Sequence, residues 1–273
     1  DNKKFNEILE KLKKNKNIKW VVSTKGTWDL ILTLETDSLS KLDDLKDEIL
    51  FYFKGYILNK SILINTFAET YNRNFFYNTS QKISGRTVID DLEKTNISNI
   101  KMKILKKLAE NSRKSVVDIA SELKTSARKV NYRIKQMEKS GIIRGYKIAL
   151  DYNKAGLKFY KLLIYLEQPG PQRLKELIRY FKSHKNIIHH VKVIGNWDLE
   201  PEIEVVSEEE FDLIAEDIKN KFSDIIKNIE IITISKEHKF VYFWSLENSD
   251  TSSNVPTSSL NRSLIFYIGF YWI

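Results

Sequence analysis

Arg128, Lys129, Tyr132, Arg133 and Gln136 bring three cations, a phenol and an amide together within nine residues. On a helix advancing about 100° per residue, Arg128, Tyr132 and Gln136 point one way and Lys129 and Arg133 lie on the flanks. Val130, Ile134 and Met137 share the opposite, apolar face. Cations in such a row neutralise phosphate oxygens, and guanidinium and amide groups pair with base edges. Ser126, just ahead of the stretch, is placed to cap the helix and joins the same exposed set.

Other chemistries are poorly served. The 273-residue chain has no cysteine, which removes disulfides, thiolate metal sites and cysteine nucleophiles and suits a reducing compartment, the cytoplasm by default. His184, His189 and His190 cluster in sequence, but neighbours on a strand point to opposite faces, and no cysteine or paired carboxylate completes a ligand set. There is no Gly-rich phosphate loop, nucleophile elbow or Ser/His/Asp spacing. From sequence, then, no catalytic residue, metal or cofactor is assigned. The apolar ending "LIFYIGFYWI" is ten residues long, against about 20 for a membrane-spanning helix, so no membrane partner is expected.

The elements that must position the cationic face can be read from caps and periodicity. Ile104, Leu105 and Leu108 mark one helix; Ser115 with Asp118 opens a second through Ile119, Ala120 and Leu123; Ser126 opens the third, which Gly141 ends. Residues 101–150 hold 14 Lys and Arg against 4 Asp and Glu, whereas the remainder holds 31 against 32. The whole basic excess therefore sits on this three-helix segment, as the footprint of a polyanion-binding surface would.

On either side of it the chain repeats itself. "GTWDL" at Gly26–Leu30 and "GNWDL" at Gly195–Leu199 are offset by 169 residues, and the match extends without a gap through Val22 and Val191, Glu35 and Glu204, Ile49 and Ile218, and Phe53 and Phe222. About fifteen identities over some sixty positions, in matching hydrophobic phase, make an internal repeat. Each copy reads as helix, two strands joined by the Gly-x-Trp-Asp turn, helix and strand, and "FYKLLIYLE" from Phe159 adds a first strand to the second copy. The order β-α-β-β-α-β is that of a ferredoxin-like unit. In the first copy the matching strand would lie before residue 1, leaving a strand edge that another chain would have to cover. Trp28 and Trp197 are expected to be packing or dimer-interface residues.

Residues Lys103–Leu157 resemble the DNA-binding half of the Lrp/AsnC regulators. The resemblance is carried by Asn111, Arg113 and Ser115, Asp118-Ile119-Ala120, the Ser126 cap, Val130 with Arg133 and Ile134, Glu138, and the exit Gly141-Ile142-Ile143-Arg144-Gly145-Tyr146. It implies a sequence-specific transcriptional regulator that binds double-stranded DNA through Ser126, Arg128, Lys129, Tyr132, Arg133 and Gln136. It also implies ferredoxin-like domains that form homo-oligomers and take a small effector, such as an amino acid, at a Gly-x-x-Asp turn: Gly26 and Asp29, Gly195 and Asp198. Two features depart from the family. Lys124-Thr125 stands where a glycine and an apolar residue are usual, and Lys129 where threonine is common.

The expected architecture is α+β: a ferredoxin-like domain at 1–77 lacking its initial strand, a linker at 78–100, a winged-helix-like helix-turn-helix at 101–150, a second ferredoxin-like domain at 151–246 and a flexible tail at 247–273. The apolar end of that tail is suited to docking on a hydrophobic groove. Two other readings share the pattern. One is an enzyme resembling siroheme decarboxylases, with His189, His190 and Lys192 as the local candidates for a tetrapyrrole cavity; the other is an assembly protein whose helix-turn-helix is vestigial.

Overall fold

The computed structural model describes residues 2–36, 38–76, 86–89, 97–146, 150–241 and 264–272, which fall into two compact units. One holds α3 (Asn99–Glu110), α4 (Val116–Glu122) and α5 (Ala127–Lys139). The other is built from both flanks of the chain: α1 (Asn2–Lys14), β1 (Ile18–Gly26), β2 (Leu30–Thr36), α2 (Leu39–Tyr52), β3 (Ile57–Thr70) and β4 (Arg86–Ile89), then β5 (Lys158–Leu166), α6 (Pro171–Ser183), β6 (Ile187–Ile194), β7 (Leu199–Val205), α7 (Glu208–Lys221), β8 (Ile226–Phe240) and β9 (Leu264–Trp272). No helix among the described residues is long and apolar enough to cross a membrane.

Local signals account for the helix starts. Ser38 caps α2 by accepting from Lys41 N at 3.3 Å, and Ser207 caps α7 by accepting from Glu210 N at 3.2 Å. In α7, Glu208, Glu209 and Glu210 occupy the first turn and Lys219 and Lys221 the last, each sign at the dipole end that favours it. Pro171 opens α6, where its missing N–H costs no helical hydrogen bond.

The strands form one antiparallel sheet in the order β4-β3-β6-β7-β5-β8-β1-β2-β9, and β9 also pairs with β3, so the sheet curls round and closes on itself. Strand β9 lies between β2 and β3, as β5 lies between β7 and β8. The position that the sequence leaves to a strand before residue 1 is thus occupied by the apolar C-terminal segment. The tail at 247–273 enters the description through this strand, its residues 247–263 lying outside the described ones. The 78–100 stretch contributes β4, paired with β3, and the start of α3; its residues 78–85 and 90–96 also lie outside them.

Three cores follow from this arrangement. Ile8, Leu9 and Leu12 of α1 and Leu42, Leu45 and Ile49 of α2 pack on the outward face of β1 and β2. Leu177 and Phe181 of α6 and Phe211, Ile214 and Ile218 of α7 do the same on β5, β6 and β7. The third core fills the inside of the curl and draws on both flanks of the chain: Trp20, Val22, Trp28, Ile31 and Leu63 with Phe159, Leu163, Val193, Trp197 and Ile232. Trp28 and Trp197 meet there with ring centroids 6.0 Å apart.

Each Gly-x-Trp-Asp turn packs against the other flank. Gly26 has φ +123°, and a Cβ there would sit 2.5 Å from the Ile231 carbonyl oxygen; one on Gly195 would sit 2.8 Å from Leu63. The turns share a backbone bond as well, Thr24 N to Asp29 O and Val193 N to Asp198 O, both 2.9 Å.

Gly26→Ala is expected to destabilise this unit by about 2–3 kcal/mol, because strain and a backbone collision add. Gly55→Ala, at φ +84° with open space around it, should lose only about 1 kcal/mol. Denaturant unfolding of the two variants measures the difference.

Candidate nucleic-acid interface

The helical unit is held by Ile104 and Leu105 of α3, Ile119 and Ala120 of α4, and Val130, Ile134 and Met137 of α5, all buried. Ser115 caps α4, its hydroxyl accepting from Asp118 N at 3.0 Å and donating to the Asp118 carboxylate at 2.6 Å. Ser126 caps α5, accepting from Lys129 N at 3.4 Å. Behind α5, Gly141 takes φ +72° and Ile143 N returns to Met137 O at 3.0 Å, which closes the helix.

Packing Val130, Ile134 and Met137 inward fixes what points out. Arg128, Lys129, Gln136 and the Ser126 cap are exposed, Tyr132 retains 62% of its surface, and Arg133 is half-buried. Gln136 Nε2 donates to Tyr132 OH at 2.9 Å, so the phenol and amide form one polar step along the helix. Among the described residues, Arg128, Lys129 and Arg133 pair with no carboxylate. Two lysines of the same unit differ: Glu122 accepts from Lys107 at 3.1 Å and from Lys114, and these two hydrogen bonds, Lys114's first, hold its carboxyl below the usual range. Lys107 of α3 and Lys114 of the following turn thus share a carboxylate, whereas these three cations of α5 are left open.

Two features of this unit were not legible from types and spacing. Lys124, in the turn before α5, adopts φ +49°, a left-handed conformation that favours glycine. The departure from the family pattern noted above therefore falls on a position whose backbone still demands that conformation. Glu138, carried only as part of the resemblance, accepts from Tyr146 OH at 2.8 Å; burial first, then this bond, pushes the Tyr146 phenol up to about 12.

The Gly-x-x-Asp residues lie in the other unit. Asp198 accepts from Leu166 N at 2.8 Å, so its carboxylate closes the end of β5; Asp29 is half-buried at the equivalent turn. The histidine candidates diverge. His190 is wholly buried, with Nδ1 2.7 Å from Tyr71 OH and the ring near Phe67 and Phe181; His189 bonds Thr70 Oγ1 at 2.9 Å, and Lys192 is exposed. Burial, reinforced by the charges of His189 and Lys182, holds the His190 ring down at about 3. No group of three metal-ligating side chains occurs among the described residues.

Comparison with known proteins places these features. Residues 97–144 match the family model for a winged helix-turn-helix DNA-binding domain. An HTH-type transcriptional regulator of Pyrococcus furiosus, PF1734, is 31% identical over 111 residues, 41% of this chain and 68% of the relative. Another from Pyrococcus horikoshii, PH0061, is 29% identical over 151 residues, 53% of this chain and 96% of the relative. The crystal structure of PH0061 superposes with a TM-score of 0.50 at 22% identity, over 55% of this chain and 100% of that one, which shows a shared fold.

Lys124→Gly should stabilise the helical unit by up to about 1 kcal/mol, and Lys124→Val should destabilise it, since the left-handed conformation penalises a branched Cβ most; thermal unfolding distinguishes the signs. The buried His190 ring gives a second expectation. Its folded pKa lies below the unfolded value, so the stability it contributes is complete above about pH 6.5 and falls as pH drops from there towards 3, by up to about 1.4 kcal/mol per pH unit. His184 and His238 are depressed in the same direction, chiefly by burial. Unfolding at pH 7.5 and pH 5 should show a shallower loss in His190→Gln.

Proposed function

The chain belongs to the Lrp/AsnC family of DNA-binding transcriptional regulators, and from that premise we propose that α5 is its reading helix. Arg128 and Lys129 at the helix start, with Arg133 on the flank, take the phosphates; Tyr132 and Gln136 reach base edges. The observation that carries this reading is the split treatment of charge. Lys107 and Lys114 share Glu122, while among the described residues the exposed Arg128 and Lys129 and the half-buried Arg133 pair with no carboxylate. A solvated face with no partner gives no reason for that division; a polyanion docking on α5 does.

We further propose that the sheet unit is a pair of ferredoxin-like βαββαβ halves, the first made of α1 to β3 with β9 as its opening strand, the second of β5 to β8. The strand orders β1-β2-β9-β3 and β6-β7-β5-β8, and the 169-residue sequence offset, support it. The pairing of the two halves is then made within one chain, with the two Gly-x-Trp-Asp turns as its contact points. At Gly26, Asp29, Gly195 and Asp198 the backbone bonds and close approaches support a role in forming and packing the turns over direct effector contact.

Polarisation titrations of the full chain against genomic fragments at two salt concentrations test the reading helix. Specific fragments should bind preferentially, and Lys129→Ala should flatten the salt slope by about one. Gln136→Ala, which removes a base contact, should weaken binding to the preferred fragments by about 1–3 kcal/mol. Equal binding of all fragments, unchanged by either substitution, would leave only the vestigial-helix reading. The divergence of His189, His190 and Lys192 gives the tetrapyrrole reading no common site to build on.

A further inference from the structure

The two halves meet along two seams of like register. In one, β3 runs against β6 with Asn65, Phe67 and Ala68 opposite Val193, Lys192 and Val191; in the other, β8 runs against β1 with Ile234, Lys236 and Glu237 opposite Thr24, Ser23 and Val22. Adding the sequence offset of 169 to each first-half residue, and subtracting it from each second-half residue, converts the first set into the second. The backbones are equivalent, but the side chains beyond them are not. The β3–β6 seam is polar: Glu69 takes Lys182 Nζ at 2.8 Å, Tyr71 OH meets His190 Nδ1 at 2.7 Å, and Arg73 grips Glu204 with two bonds of 2.6 and 2.8 Å. His190 and Glu204 are fully buried, so neither can turn to water for a substitute.

At the positions equivalent to Glu69, Tyr71 and Arg73 the second half carries His238, Phe240 and Tyr242. Two second halves facing each other would therefore set His238 against Lys182, strand the His190 ring against Phe240, and leave the Glu204 carboxylate buried without its guanidinium, an arrangement that desolvation penalises heavily. We propose that the second half is keyed to the first: its pairing face accepts the first half's β3 and rejects the β8 of another copy of itself. Tyr71, Arg73 and Glu69 are the key, and His190, Glu204 and Lys182 the lock. The inference rests on the two-half reading above and is independent of DNA binding.

The absence of native cysteine makes the test clean. Protease sites inserted between Tyr77 and Asn78 and between Ser252 and Ser253 let the purified full chain be cut on both sides of the second half, so that β9 stays with β2 and β3 and the halves compete for partners as separate pieces under native conditions. Phe67→Cys with Lys192→Cys reports the native seam, and Lys192→Cys with Lys236→Cys reports only pairing between two second halves. The native pair should cross-link extensively and the self-pair only at a trace level. Installing the key on β8, as His238→Glu, Phe240→Tyr and Tyr242→Arg, should raise self-pair cross-links about tenfold, a shift of about 1.4 kcal/mol. Self-pair cross-links in the wild-type sequence as abundant as native ones, or none in the rekeyed variant, would overturn the proposal. Pieces that separate on nicking would overturn the two-half reading instead.

Discussion

A sheet with helices on one face must still cover the other, and here that second face carries Trp20, Trp28, Phe159, Leu163 and Trp197, which water cannot cover favourably. Everything else in the larger unit follows from that need. The sheet curls until its inner surface covers itself, and the strands at the two seams supply the hydrogen bonds that fix the curl. The glycines at the Trp turns are where approach is closest, because any side chain there would push one flank off the other.

The interior is not uniformly oily, and its polar groups are handled unequally. Lys161 lies between Glu200 and Glu202 at 2.7 and 3.1 Å with its ammonium 5.0 Å from the Trp20 ring; burial alone would lower its pKa, but the two carboxylates outweigh it and hold the group above its usual range. Trp197 donates to Glu200 at 2.8 Å, whereas the indole N–H of Trp28 has no acceptor among the described residues, Ile31 standing where the sequence offset would place the equivalent glutamate. Such groups contribute little net stability, since desolvation offsets most of the attraction. Their effect is to make each partner costly to replace by the wrong one.

Much of this was legible from local chemistry. Caps at Ser115, Ser126 and Ser207 and the spacing of Val130, Ile134 and Met137 marked the helices and their buried faces, because caps and helical period are short-range properties. The last strand of the second copy runs from Ile226 to Phe240, and its polar end, Ser235 to Lys239, is held by pairing with β1 and not by an alternating pattern of its own. The apolar C-terminal segment carried a strand-like composition but no sign of its neighbours; its place between β2 and β3 is a matter of long-range pairing. At the interface the exposed row on α5 could be anticipated. The Glu122 bridge and the Lys124 backbone could not, as both depend on how the helices meet.

Closure of the sheet has one more effect. Open β-sheets end in strands whose free amides and carbonyls invite foreign strands, and proteins of this kind must blunt them to stay out of fibrous aggregates. Among the described residues the ladder runs from β6 round to β3 and back to β6, and the strand left at its margin, β4, is only four residues long. A protein that must stay dispersed while it searches long polymers is in this way spared a sticky border.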